Sequence, residues 1–542
     1  MKKAFTLLLL FATTTFCFAG KTPKIVIKTG STYQIPKGHW PWTILGSLEK
    51  GFVQTGFKNK KSISFQSFNL DLKQTKTSFL DLTALPKGAK FERFFTIKDK
   101  TFILYSQNSK GAGGAVFIQQ INISTGAIVG KPKQLAETDF NLNLSSGGGV
   151  VLWFGPAVGA REQNVSIFQS TDSNRIGVRI QYPKKSKIDA KNKLEYSLSM
   201  YDGDLQKLWE NKYEMPYTEK KMDIYDEHLD GEGNLLHLCR VYDDNSEKNV
   251  KGNKINYHFE IIKESKSKNG PVIIPFKFDD RTVEQIYIFE DLQKQVNICG
   301  YYGAKTASGK INQSATTVAG AFLLRLDNSE NKLIPIKKGM YEIPEDIVKQ
   351  FETTRSQKSI EKTKDKGNEV AETNLKLREI IYDESGSITL IGEQFYITTY
   401  TVSNGRSSYT VTVYHYEDII VQKIDAEGEL AWTRKIPKTQ TGAGGYKAMS
   451  TPEGINIFYM DNEKNLNIKT DQAPAVHSTG GRGLLMCSSI SNSGDMKKFK
   501  IKDTRQDKEY IDIYNAQKVN DNIFITTIVN KKDRKLAMFS FE

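Results

Sequence analysis

Apolar and polar residues alternate with period two over short runs along this chain, and turn-forming residues bracket the runs. Asp230-Gly-Glu-Gly-Asn234 precedes Leu235-Leu-His-Leu238, and Asp383-Glu-Ser-Gly386 precedes Ser387-Ile-Thr-Leu390. Thr451-Pro-Glu-Gly454 leads into Ile455-Asn-Ile-Phe458, and Asn520-Asp521 into Asn522-Ile-Phe-Ile525. Side chains of a strand point alternately to opposite faces, so each run predicts a strand entered through a tight hairpin turn.

A second spacing interleaves with the first. An Asp or Asn closes a strand and a bulky apolar residue follows seven positions later: Asp202 and Trp209, Asp425 and Trp432, Asp327 and Ile334, Asn122 and Val129, Asn492 and Phe499. The carboxylate or amide is expected to bond its own backbone, with a nearby Gly taking positive φ, and the apolar residue to open the returning strand. The two turn types alternate along the chain, which predicts repeated four-stranded antiparallel units.

The units fall near 45–85, 91–137, 164–213, 220–277, 282–336, 377–437, 444–503 and 508–542. The last has room for three strands, Tyr510 to Tyr514, Ile523 to Val529 and Leu536 to Phe541, and residues 24–28 are expected to supply its fourth. Such an exchange covers edges that would otherwise invite aggregation. Between two units, 341–374 reads as a charged insertion: Pro344 opens a short helix with acidic residues in its first turn, and Lys358 to Glu372 is too polar to pack.

Carried best by Ile420-Val-Gln-Lys-Ile-Asp425-Ala-Glu-Gly428-Glu-Leu-Ala-Trp432, the pattern over 21–542 resembles the exported bacterial β-propellers with divergent blades. The resemblance implies an all-β ring of eight blades, with seven as the alternative, and it is silent on function. The Trp of the strongest repeats is expected to wedge between neighbouring blades.

Residues 1–19 carry the marks of a secretory signal peptide: Lys2 and Lys3, an apolar stretch from Ala4 to Phe18, and small residues before a cleavage point after Ala19. Phe16 before Cys17 does not fit a bacterial lipoprotein box. Export and a periplasmic or envelope-associated location are therefore expected. Three cysteines remain, Cys239, Cys299 and Cys487, an odd number too dispersed for a disulfide framework; Cys239 and Cys299 sit in apolar strands and are expected to be buried thiols. The formal charge of +14 suits acidic glycans, anionic headgroups or an acidic protein face. Nucleic acid is a poor fit for an exported chain.

No motif commits the chain to catalysis. Gly-x-Ser-x-Gly and His-Glu-x-x-His are absent, and the runs at 111–114, 147–149, 442–445 and 480–483 lack the Lys-Ser/Thr of a phosphate loop. Glu227, His228, Asp230 and His237 could be imagined as a metal set, but the same oxygens suit an ordinary turn, and no metal or cofactor is expected. The candidate contact site is Gly38-His39-Trp40-Pro41-Trp42. Its rings either plug the first blade or anchor a partner or a sugar, since Trp dominates interface hot spots. Tyr396, Tyr400, Tyr409, Tyr414 and Tyr416 predict a two-faced sheet with wet Tyr hydroxyls. The expectation is a non-catalytic scaffold that engages an envelope protein, such as an outer-membrane or secretion-channel complex, without spanning the membrane. A glycan-binding or glycan-processing propeller is the alternative.

Overall fold

A computed structural model describes residues 25–541 except 48, 50, 60, 110–112, 145–163, 268, 279–280, 309–316, 404–407, 443 and 521. The expected signal peptide at 1–19, the run 147–149 and Gly111 lie outside the described residues.

Eight antiparallel units, six of four strands and two of five, follow one another along the chain, each built mainly from consecutive strands. The first runs from Trp40–Ser47 to Gln74–Asp81, and the second from Ala89–Ile97 to Ala127–Thr138. The third spans Val165–Gln169 to Lys207–Thr218, the fourth Met222–Leu229 to Val272–Phe276, and the fifth Val283–Glu290 to Lys332–Glu342. The sixth spans Leu375–Tyr382 to Leu430–Ile436, and the seventh Tyr446–Thr451 to Met496–Asp503. In the eighth, Tyr510–Ile511 and Gln517–Asn520 both pair along one side of Ile523–Asn530, which pairs on its other side with Asp533–Phe541. The outermost strand there is Ile25–Thr29, with Ile25 opposite Phe541 and Thr29 opposite Ala537.

No sheet curls into a barrel. The circuit is made by packing between neighbouring sheets, and the architecture is a β-propeller. Phe65 and Leu80 of the first unit meet Ile103 and Tyr105 of the second, and Ile391 and Val421 of the sixth meet Ala448 and Ile457 of the seventh. The same holds across the junction of the ends, where Phe52 and Phe68 meet Ile525 and Leu536. The core is thus a series of wedges between blades, and strands buried on both faces carry it. Leu235–Tyr242 and Val296–Tyr302 are buried at every position. Cys239 and Cys299 lie unpaired in these two strands and Cys487 in Leu484–Ser491, all three buried, and burial pushes their thiols up.

The turns follow the expected chemistry with exceptions at Asp202, Asp327 and Asn492; after Asp327 the positive φ falls on Asn331 at 49°. The Asp425 carboxylate accepts from Glu429 N at 2.7 Å, with Gly428 at φ 84°. Asp202 accepts from Gln206 N at 2.8 Å, but positive φ falls on Leu205 at 62° and not on a glycine. Asn492 does not cap its own turn. Ser491 Oγ takes Asp495 N at 3.0 Å, and the Asn492 amide instead donates to Pro452 O at 2.7 Å across the hairpin. Trp432 wedges between the sixth and seventh blades, its indole N–H donating to Asn492 O at 3.0 Å.

The insertion lies between the fifth and sixth blades. Helix α1 (Glu345–Lys349) buries Ile347 and Val348, and Phe351 follows them into the core. Helix α2 (Thr354–Asp365) buries no residue but is tied to α1 by Glu361–Lys349 at 3.1 Å and by a Lys364–Glu345 ion pair. Glu372–Thr373 then pairs with Thr317–Val318. A few apolar residues in α1 anchor a segment whose average composition is polar.

Candidate functional site: an aromatic patch and an uncharged arm

The candidate residues His39, Trp40 and Trp42 lie at the start of the first blade's first strand. Trp42 is 40% exposed and rests on an aromatic bed shared by two blades, with ring centroids 4.7 Å from Phe57, 5.5 Å from Phe94 and 6.0 Å from Phe91. Trp40 is 77% exposed. His39 turns the other way. Its ring approaches Phe79 of the outermost strand at 5.5 Å, and its Cβ passes over Gly56, where an added Cβ would lie 3.5 Å away. Gly56, Ser64 and Phe79 are register neighbours on successive strands, so two small residues make room for the imidazole. Both His39 ring nitrogens are shielded from solvent without a hydrogen-bond partner. The structure therefore separates the three residues: Trp42 packs, Trp40 stands free, and His39 is a spacer across the blade.

The predicted Tyr-rich sheet is larger than its sequence suggests. The two middle strands of the sixth blade, Ile388–Ser403 and Ser408–Ile424, are about twice the length of their neighbours Leu375–Tyr382 and Leu430–Ile436. The neighbouring strand leaves the first of them at Gln394, and short pairing by Gln440–Thr441 leaves the second at His415. Beyond those points, apart from Phe395 N to Asn374 O and Gly442 N to Tyr414 O, both at 2.9 Å, the two described strands pair only with each other, from Phe395↔Tyr416 out to Ser403↔Ser408. They form an arm that projects from the blade. Ile397 is 51% and Tyr400 54% exposed. From Gln394 to Tyr416 the sequence carries one Lys, Arg, Asp or Glu, Arg406. In a chain that is 25% charged, so long a neutral stretch on an exposed strand is unusual.

The root of the arm is held by buried charge. Lys438 Nζ lies 2.8 Å from Glu393 Oε1 with neither side chain exposed, and its backbone N–H donates to Asp418 at 3.0 Å. Lys435, also fully buried, sits 3.1 Å from Glu372, 3.4 Å from Asp418 and 3.7 Å from Glu352, and donates to Val348 O of α1 at 3.3 Å. Burial pushes Glu372 up to about 7 and Asp418 up to about 6, against the pull of the Lys435 ammonium. The insertion thus supplies carboxylates and a carbonyl that neutralise a lysine beneath the arm, a role no local sequence signal announces. Beside the root, Gly444 and Gly445 let the chain pass Tyr416 and Tyr514: an added Cβ would meet their rings at 2.7 and 2.5 Å. This explains the second Gly-Ala-Gly-Gly run. In the first run, a Cβ on Gly114 would meet Leu142 N at 2.8 Å.

The residues imagined as a metal set do not converge. His237 Nδ1 contacts Glu227 at 2.6 Å, but Glu227 also takes the Arg179 guanidinium, whose Nη2 lies at 3.0 Å. Asp230 is spent on its turn, accepting from Asn234 N at 2.7 Å, and the buried His228 Nε2 has no partner. Glu264 completes this inter-blade network, 3.3 Å from His237 Nε2 and hydrogen-bonded to Tyr196. Burial pushes Glu264 well up, whereas Arg179 and His237 overcome burial at Glu227 and hold it down near 2. Among the described residues, no three His, Cys, Asp or Glu side chains are grouped to hold a metal ion.

No family model and no curated protein matches this chain. Solved structures align over much of its length at low similarity. The WD40 domain of SCAP from fission yeast aligns over 95% of this chain and 98% of its own, at 9% identity and TM-score 0.36. A periplasmic gluconolactonase of Pseudomonas aeruginosa aligns over 80% and 93%, at 10% identity and TM-score 0.30. Prolyl oligopeptidase B from Galerina marginata aligns over 91% of this chain but 55% of its own length, at 8% identity and TM-score 0.37. Likenesses this weak carry no functional argument, and the fold rests on the sheet order itself.

Proposed function

We propose that this chain is a non-catalytic binding scaffold, exported to the periplasm or envelope, that engages an envelope protein such as an outer-membrane or secretion-channel complex. The observation that supports this reading is Trp40. A ring left 77% exposed, beside a second Trp already bedded on Phe57, Phe91 and Phe94, is a preformed anchor on a rigid disc. No described helix is long and apolar enough to cross a membrane, so the reading needs no span of that kind. Affinity purification from envelope extracts tests it. The wild-type chain is expected to enrich one membrane-protein complex, and Trp40→Ala to lose it at least tenfold while melting at an unchanged temperature. Equal recovery by both proteins overturns the role of Trp40.

The same exposed ring supports the second reading, a face that stacks on sugar rings of an acidic glycan drawn by the positive charge. Oligosaccharides that raise the melting temperature of wild type but not of Trp40→Ala would favour it, because ligands that prefer the native state stabilise it.

A further inference from the structure

Antiparallel strands taken in order send their connections alternately to the two ends of a blade. The tight turns, which join first to second and third to fourth strands, emerge at one end of the disc. The connections from second to third strands, and from each blade to the next, emerge at the other. The two ends differ in charge. Among the described residues between strands, the turn end carries 16 Asp and Glu against 4 Lys and Arg, a net −12. The loop end carries 29 Lys and Arg against 18 Asp and Glu, a net +11. The basic character of the chain is therefore concentrated on one face.

Aromatic residues divide the same way. The exposed Trp and Tyr side chains among the described residues are Trp40, Trp42, Tyr400, Tyr414 and Tyr514. All lie at the loop end or on the arm that leaves it. The large apolar residues exposed in the turns, Leu70 and Leu292, are aliphatic.

We infer that the loop end docks on an anionic lipid surface, where the disc sits as a peripheral protein with its acidic end turned away. Three observations favour lipid over an acidic protein or an acidic glycan. The positive charge is spread around the disc, from Lys61 of the first blade through Lys187 of the third and Lys469 of the seventh to Lys531 of the eighth. Such a field suits a continuous anionic plane and not one discrete acidic patch. The arm that projects from this end is neutral and exposes Ile397 and Tyr400. An acidic partner would be met by charge there, whereas a bilayer takes apolar and aromatic groups with basic groups around them. The exposed rings are Trp and Tyr, the types enriched at headgroup level. At that depth the unpaired edges of the arm still meet water, so the arm stays in the interface and does not enter hydrocarbon.

Central strands of 8 residues separate the two ends. At about 3.3 Å per residue this is roughly 25 Å, some three Debye lengths of about 8 Å at physiological salt, so the acidic end does not cancel the field of the basic one. Docking of this kind brings Trp40 to the headgroup level, where a membrane-embedded partner presents its surface. In that respect the inference extends the reading above, but it needs lipid alone.

Vesicle sedimentation of the full chain tests it, with equimolar phosphatidylglycerol and phosphatidylcholine against phosphatidylcholine alone. About tenfold more protein is expected on the anionic vesicles in low salt, and most of it should be released in high salt. Ile397→Ser with Tyr400→Ser should weaken binding about fivefold or more at an unchanged melting temperature. Lys187→Glu with Lys191→Glu, at exposed loop-end positions, should do the same. Glu384→Lys with Glu427→Lys adds positive charge at exposed turn-end positions and should leave binding within about twofold. No enrichment on anionic vesicles, indifference to either loop-end variant, or stronger binding by the turn-end variant overturns the inference. So does capture by soluble polyglutamate that matches capture by vesicles and ignores the arm, which would assign the face to an acidic polymer. Every variant keeps Trp40 and the vesicles hold no protein, so failure here is distinct from failure of the Trp40 test.

Discussion

Single residues in this chain are set by what faces them across a blade interface, and the most informative are polar groups left inside. Asp226 and His228 sit two apart on the inner strand of the fourth blade, Met222–Leu229. Burial raises Asp226 to about 7, although Ile288 N and Glu227 N donate to it, and burial lowers His228 to about 4. Their linkages run in opposite directions. Asp226 keeps its proton longer in the native state, so its contribution to stability falls as pH rises from about 4 to 7. His228 stays neutral in the native state, so its contribution is lost as pH falls from about 6.5 to 4. His228→Phe should therefore be worth more at pH 4.5 than at pH 7, by on the order of 2 kcal/mol, in urea midpoints read at both. Parallel pH profiles for mutant and wild type would refute it. At this scale the sequence was partly legible. Asp425 and Trp432 do what their spacing predicts, because their partners are local or in the next blade at a fixed offset. Asn492 does not, because Ser491 competes for the same turn, and no spacing rule reveals which side chain wins.

Among elements, the strands were legible and the arm was not. Period-two alternation finds a strand but does not tell how far it runs past its neighbours. Length is set by where the flanking strands leave, at Gln394 and His415, and that is tertiary information. The insertion reads as unpacked for a related reason: averaging over 341–374 hides five buried apolar residues, Tyr341, Ile343, Ile347, Val348 and Phe351. Both elements converge on the lysines beneath the arm. A buried ion pair adds little net stability over an apolar pair, but breaking one leaves an uncompensated charge. Lys438→Met should thus cost about 3–5 kcal/mol, since Glu393 keeps only Arg378 at 3.5 Å. Lys438→Met with Glu393→Leu should recover most of that loss, and a denaturation double-mutant cycle measures the coupling. If the single change is silent, the root is not braced by charge.

For the molecule as a whole, the eight wedges make a circuit only if the last blade is complete, and its completion depends on the first described strand. Ile25–Thr29 lies along Asp533–Phe541, with Ile25 and Ile27 packed against the cluster that holds Phe458, Phe524 and Phe539. Residues more than five hundred positions apart thus share a sheet, a long-range closure that is sensitive to loss of either end. Deleting 25–29 removes two partly buried Ile side chains, at about 1 kcal/mol each, and a ladder of hydrogen bonds. It also uncovers the outer edge of Asp533–Phe541, whose alternating Leu536, Met538 and Ser540 invite another strand. The expected result is a lower melting temperature together with light scattering that rises with concentration. A bared blade edge has no built-in stop, because it can take a strand from any unfolding neighbour. Sedimentation of the truncated chain measures it: large species should appear that the intact chain lacks. A truncated protein that stays compact, monomeric and equally stable would mean that the packing of Phe52 and Phe68 on Ile525 and Leu536 holds the circuit without the strand.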